Sequence, residues 1–166
     1  EYALYHGNLG VAENKKAAQF LIEEVFDSLP IPLVVAGKGA RSLAHSNHNK
    51  SIKFIDSPSG DELTGLIRNA HINVLPTFQP TGIKHKLINA LFTGRYCVVN
   101  PVMVDGNGLA PLCHVAADAA FMRSLITSLF TKEFPAGEIE KRKQVLEHTY
   151  SNMGNAAKLA SVIFGS

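Results

Sequence analysis

The residues best suited to chemistry in this chain lie between Leu75 and Lys86, in the run Leu-Pro-Thr-Phe-Gln-Pro-Thr-Gly-Ile-Lys-His-Lys. A strand-like apolar run ends there, two prolines and a glycine turn the backbone, and a helical pattern begins near Gly82. A helix N-terminus carries unpaired N–H groups and a partial positive charge. Lys84 and Lys86 fall in the first turn of this expected helix, where a cation is unfavourable unless an anion lies close by. Gly82 permits close approach of the backbone to a ligand. Together these features describe a phosphate-binding corner. The plainer alternative is a strand–helix turn carrying two solvated lysines.

Three other groups of residues compete for a chemical role. The stretch Gly7-Asn8-Leu9-Gly10 follows a strand pattern and puts Lys15 and Lys16 near the start of the next helix, so it is either the opposite wall of the same cleft or an exposed turn. Gly37-Lys38-Gly39-Ala40-Arg41-Ser42 comes close to the dinucleotide fingerprint, and Asp56 stands nineteen residues after Gly37, a spacing suited to a ribose-binding acid. Against an NAD site, Arg41–Lys50 has too little apolar periodicity for a full crossover helix, and the last glycine of the fingerprint is Ser42. The seven histidines give no metal site. His45 and His48 lie close together in a polar segment without a third ligand at usable spacing, so no metal is expected; no cofactor is expected either. His6 ends a strand on the cleft side, where it either contacts a ligand or packs; His71, His85, His114 and His148 read as solvated or locally hydrogen-bonded. A Gly-x-Ser-x-Gly elbow and a Walker loop are both missing, which removes the parts for serine hydrolysis and nucleotide hydrolysis.

The elements that must position these loops alternate in type. Tyr2–His6, Leu33–Ala36, Ile52–Ile55, Ile72–Leu75, Tyr96–Val99 and a short Leu112–Ala116 read as strands. Glu13–Phe26 reads as a helix with Ala17, Ala18, Leu21, Ile22 and Val25 on one face. Ser59 reads as the N-cap of a further helix, with Asp61 and Glu62 in its first turn. Ile83–Phe92, Ala117–Phe130, Gly137–Thr149 and Ser151–Phe164 are the other helical patterns, and Pro101–Pro111 reads as a loop. Strands apolar on both faces and separated by helices predict a Rossmann-like three-layer α/β/α sandwich, with a mostly parallel sheet of about six strands. Such sheets bind ligands beyond the carboxyl ends of their strands. Functional residues are therefore expected in Gly7–Asn14, Gly37–Arg41, Asp56–Ser59, Pro76–Lys86 and Asn100–Gly108.

Composition agrees with a single domain over residues 1–166, because 46% apolar and 18% charged residues suffice for a core at this length. A formal charge of +2 without a basic run gives no nucleic-acid footprint. No apolar stretch approaches the ~20 residues that span a bilayer. Cys97 and Cys113, in apolar strand-like runs, read as reduced buried thiols. No charged leader with an apolar core opens the chain, and the expected compartment is the cytoplasm, with a peripheral place at the inner membrane open to the full-length protein. The opening Glu1–Gly7 is a strand pattern with no initiator Met, which suggests a piece of a longer chain.

The order of these motifs resembles the C-terminal domain of bacterial group 1 (family 4) glycosyltransferases of the GT-B type, over nearly the whole chain. YHGNLGVAENKKAAQFLIEEVF resembles their first strand, glycine turn and long helix, and IPLVVAGKGA their second strand and glycine loop. IKFIDSPSGDELTGLIRNAHINVLPTF and TGIKHKLINALFTGRYCVVNP resemble the later strands and the family's most specific helix. The resemblance implies a donor-binding half whose N-terminal, acceptor-binding half is absent. It further implies a UDP- or GDP-sugar donor, a glycan or lipid-linked acceptor in cell-surface polysaccharide synthesis, and inactivity of the fragment alone. It places Thr81, Gly82 and Ile83 at the diphosphate, with Gly7, Asn8 and Lys15 in the first loop and Lys84 and Lys86 beside them. Gly37, Lys38, Pro58 and Ser59 fall at the nucleobase and ribose, and Asn89 at the ribose. The family pattern has two glutamates, and Thr81 and Asn89 occupy those positions here. Three outcomes stay open: an acid from elsewhere replaces the missing glutamates, donor handling differs, or activity has been lost. The kept Gly82, Lys84 and Lys86 favour the first.

Overall fold

The computed structural model describes residues 1–45, 49–81 and 84–150, the last four of these as backbone only. Six strands, β1 (Ala3–His6), β2 (Leu33–Gly37), β3 (Ile52–Asp56), β4 (Ile72–Val74), β5 (Tyr96–Val99) and β6 (His114–Val115), form one sheet. Its order is β3-β2-β1-β4-β5-β6, and every pair is parallel. The expected Rossmann-like sandwich is the fold observed. Strands β1, β2 and β4 are buried along their whole length and β5 at all but Tyr96, as their continuous apolar runs predict, whereas edge strands β3 and β6 are partly exposed.

The helices are α1 (Ala12–Phe20), α2 (Arg41–Ala44), α3 (Gly60–Asn69), α4 (His85–Thr93), α5 (Pro101–Val104), α6 (Ala119–Phe130) and α7 (Glu138–Tyr150). Helix α1 runs into a π-helical turn, Leu21–Val25, and α6 packs against that turn and against β4 and β5. A second group is formed by α3, α4 and α7. Helix α4 buries Leu87, Ala90 and Leu91, the three- and four-residue spacing of one helical face. Helix α7 is pinned by Arg142, only 2% exposed. Its guanidinium donates to the carbonyls of Gly94 (2.6 Å) and Arg95 (2.9 Å) and lies over the Phe134 ring. Among the described residues no helix is long and apolar enough to cross a membrane.

Several expectations need correction. The fourth helix begins at His85 rather than near Gly82, so Lys84 is its N-cap and only Lys86 of the two lysines lies in the first turn. Pro101–Pro111 is not a plain loop: Pro101 opens the short α5, where its missing N–H costs nothing, and a 3-10 turn follows at Ala110–Leu112. His71 is 3% exposed rather than solvated, and its Nε2 lies 3.0 Å from the Leu129 carbonyl, which ties α6 to the start of β4. Cys97 is buried and Cys113 half-buried, both free thiols. Gly82, Ile83 and the expected Ser151–Phe164 helix lie outside the described residues.

Candidate functional site

The strand order reverses between β1 and β4: the chain leaves β1 toward β2 and leaves β4 toward β5. The loops following these two strands diverge, and the crevice left between them is where open α/β sheets bind ligands. A hollow of about 250 Å³ opens here, lined by Asn14, Thr77, Gln79, Thr81, Lys84 and Lys86 among others. A larger one, about 440 Å³, lies at the opposite end of the strands between Glu1, His71, Arg95 and Phe130–Phe134. Glu1, His71 and Arg95 precede strands β1, β4 and β5, whereas the rule of strand topology selects the carboxyl side.

Lys86 is the centre of the crevice. Its Nζ donates to Asn14 Oδ1 (2.8 Å) and to the Tyr5 hydroxyl (3.3 Å), and stands 4.9 Å from the centre of the Tyr5 ring. The Tyr5 hydroxyl in turn donates to the Asn14 carbonyl at 2.9 Å. An ammonium has three protons, so this cradle leaves one for a ligand. Among the described residues no carboxylate balances the charge: their ion pairs involve Glu1 and Glu140, and none reaches Lys86. Burial, and then the neighbouring Lys84, lower its pKa to about 8. A largely buried cation without a counter-ion is destabilised in the empty crevice and stabilised by any anion that enters.

The loop after β4 is held in shape by its own chain and by β5. Lys84 Nζ donates to the carbonyls of Gln79 (2.6 Å) and Thr81 (3.3 Å), closing that loop on itself. Asn100, just after β5, accepts from the Thr77 amide at 3.0 Å and donates to the Thr77 carbonyl at 2.7 Å. That pair of hydrogen bonds fixes the exit from β4. On the near wall, Lys16 lies 4.9 Å over the Phe78 ring, and Phe20 meets the same ring edge-on.

The first loop is equally constrained. Asn8 Oδ1 accepts from the Gly10 amide and its carbonyl accepts from Asn14 Nδ2, each at 3.0 Å, so this uncharged residue shapes the turn. The second glycine loop supports it from below. Gly37 has φ +144°, and a Cβ there would stand 1.9 Å from the Gly7 carbonyl oxygen, while Leu9 donates to the Lys38 carbonyl at 2.8 Å. The glycines of the fingerprint-like segment thus let two loops touch. Asp56 is likewise engaged locally: its carboxylate accepts from the Arg41 amide and the Ser57 hydroxyl. The Arg41 amide, foremost among several hydrogen bonds, holds its pKa below the usual value. Both features that suggested an NAD site therefore have structural work in the folded chain.

Of the expected site residues, the structure brings Thr81, Lys84 and Lys86 together, with Gly7 beside Asn14. Lys15 is exposed on α1, outside the lining of the hollow. Asn89 is exposed one turn beyond Lys86 on α4 and also stands outside it. Lys38 is exposed, Pro58 is half-buried, and Ser59 is the α3 N-cap. The Ser59 hydroxyl accepts from the Glu62 amide while Glu62 accepts from the Ser59 amide, the reciprocal capping box. Asn14, Thr77 and Asn100 lie in loops that the topology marks, without being singled out there, and Tyr5 lies outside those loops. Asn14 had one visible signal, a polar side chain in the first turn of a helix following a glycine loop.

The comparisons with known proteins fit this geometry. No curated protein matches the chain. A family model described as "Glycosyl transferases group 1" matches residues 1–129, from β1 nearly to the end of α6. That span includes both walls of the crevice and all the candidate residues. The chain belongs to the group 1 glycosyltransferases, as a domain like the C-terminal one of GT-B enzymes.

Proposed function

We propose that the crevice between β1 and β4 binds the diphosphate of a UDP- or GDP-sugar, and that the domain serves glycosyl transfer from this donor to a glycan or lipid-linked acceptor. The observation that carries the reading is Lys86: a largely buried cation at the switch point, cradled by Asn14 and Tyr5, with no carboxylate among the described residues paired to it. A diphosphate supplies the missing charge. As the glycosidic bond to the donor breaks, negative charge grows on the leaving diphosphate. Preorganised amides and lysines stabilise that charge without reorganising, and in this reading they take the place of a metal. Asn8 supplies no charge, so the first loop contributes shape and backbone amides. The acceptor side is assigned to a second domain of a two-domain enzyme.

A second reading, a domain that binds nucleotide but no longer catalyses transfer, is favoured by Thr81 and Asn89 at the positions of the family glutamates. Thr81 can hydrogen-bond a sugar hydroxyl but cannot offset positive charge at an anomeric carbon. Calorimetric titration with UDP, GDP and their sugars tests the shared part of both readings. Saturable binding weakened at least about tenfold, or about 1.4 kcal/mol, by Lys86→Ala supports the site. Unchanged binding in both Lys84→Ala and Lys86→Ala removes it. Donor hydrolysis or transfer by a chain that includes the acceptor domain separates the enzyme from the degenerate binder.

A further inference from the structure

His6 ends β1 at the switch point, between Tyr5 and Gly7; it is only 4% exposed and, being buried, is not among the residues that line the open hollow. Its Nε2 is buried and has no hydrogen-bond partner in the structure, an arrangement that costs free energy unless a ligand supplies the partner. The surroundings of the ring are apolar on the sheet side. β2 places Ala36 beside it, and the β1–β4 register, continued from Leu4–Asn73, brings Leu75 level with it. From its own strand the neighbouring titratable group is Tyr5, whose hydroxyl burial keeps protonated. From α4 comes Lys86, the charged group that acts on the ring.

We propose that His6 is a binding residue of this crevice, taking up a proton when a nucleotide diphosphate binds and donating a charge-assisted hydrogen bond from Nε2 to a phosphate oxygen. The inference rests on the donor reading above. The proton comes from solvent and returns to it when the nucleotide leaves. Burial, and then Lys86, hold the free imidazole at a pKa of about 4, so it is neutral in the empty protein. A diphosphate beside Lys86 offsets that ammonium and adds an anion, and both changes favour the imidazolium. The sign follows: the complex holds one proton more than the free protein between pH 4 and the raised value in the complex. Within that window affinity falls about tenfold per pH unit as pH rises. Lys86 gives a similar linkage, but only from about pH 8 upward, so measurements near pH 6 exclude it, and the His6 variants distinguish His6 from His85, which also lines the hollow.

The test is calorimetric titration of the 166-residue chain with UDP-glucose and GDP-mannose at about pH 6 in two buffers of different ionisation enthalpy. The diphosphate of either probe is esterified at both ends and does not titrate there. The expected result is net proton uptake on nucleotide binding, abolished in His6→Asn and in His6→Gln, with weaker binding in both. Should neither variant fold, the His6 ring nitrogens of the unaltered chain, followed by NMR, report imidazolium formation on adding nucleotide. Binding without proton uptake, uptake that survives both substitutions, or a ring that stays neutral in the complex overturns the proposal and leaves the donor site standing. Failure of both nucleotides to bind overturns the donor reading, and this inference with it.

Discussion

Replacing Lys86 by Met should make the folded chain more stable while destroying its affinity for nucleotide. The magnitude follows from the depressed pKa. A fall from 10.5 to about 8 is two and a half units, and at about 1.4 kcal/mol per unit the buried charge costs roughly 3 kcal/mol at pH 7. Methionine removes that cost and fills similar volume, but forgoes the hydrogen bonds to Asn14 Oδ1 and the Tyr5 hydroxyl, each worth about 1 kcal/mol net. The expected gain at pH 7 is therefore about 1–3 kcal/mol. Its pH dependence is diagnostic. Because the folded-state pKa is lowered, unfolded chains bind more protons than folded ones between pH 8 and 10.5, and the unaltered protein recovers stability as pH rises through that range. The advantage of Lys86→Met should thus shrink by about 1.4 kcal/mol per unit above pH 8. Cys97 and Cys113, both raised by burial, pull the opposite way above pH 9, but they are common to both proteins and cancel in the difference. Urea unfolding followed by circular dichroism from pH 7 to 10, on both proteins, supplies the numbers. A Lys86→Met variant less stable than the parent by more than about 1 kcal/mol, or a difference that ignores pH, would show that Lys86 is a structural strut and refute the reasoning.

Two glycines should respond oppositely to alanine. Gly37→Ala forces a Cβ to 1.9 Å from the Gly7 carbonyl at φ +144° and should cost at least about 3 kcal/mol in chemical denaturation, whereas Gly65→Ala, inside α3 with open space around it, should gain up to about 1 kcal/mol. Asn100→Ala leaves the Thr77 amide and carbonyl without their side-chain partners; it should cost about 2 kcal/mol by denaturation and weaken nucleotide binding by calorimetry. Burial raises the Cys97 thiol to about 11 and that of Cys113 further, so neither should react with iodoacetamide at pH 8 in the folded chain, and both should react after unfolding, as read by mass spectrometry.

The scaffold was legible because parallel strands announce themselves. Leu33–Ala36 and Tyr96–Val99 are apolar at every position, as only strands covered on both faces can be, and the loops after them lie at the carboxyl edge as topology requires. The N-cap at Ser59 was legible for the opposite reason, since the cap and its acidic first turn lie within four residues. The crevice was read only in outline. Lys84 and Lys86 were found from their awkward place near a helix start, but the partners that give Lys86 its character, Tyr5 and Asn14, lie 81 and 72 residues away in sequence. Sequence spacing carries no sign of such pairs. The glycines of Gly37–Gly39 gave a true backbone signal: both have positive φ, and the absence of a Cβ lets Gly37 pass the Gly7 carbonyl. Helix α5 escaped notice because four residues opening on a proline have no periodicity to detect.

A crystal structure of the chain grown with UDP-glucose or GDP-mannose tests the central claim most directly. The account predicts diphosphate density between the ends of β1 and β4, with a phosphate oxygen about 3 Å from Lys86 Nζ. Nucleotide bound elsewhere, such as in the hollow between His71 and Phe134, with Lys86 still held only by Asn14 and Tyr5, would contradict it.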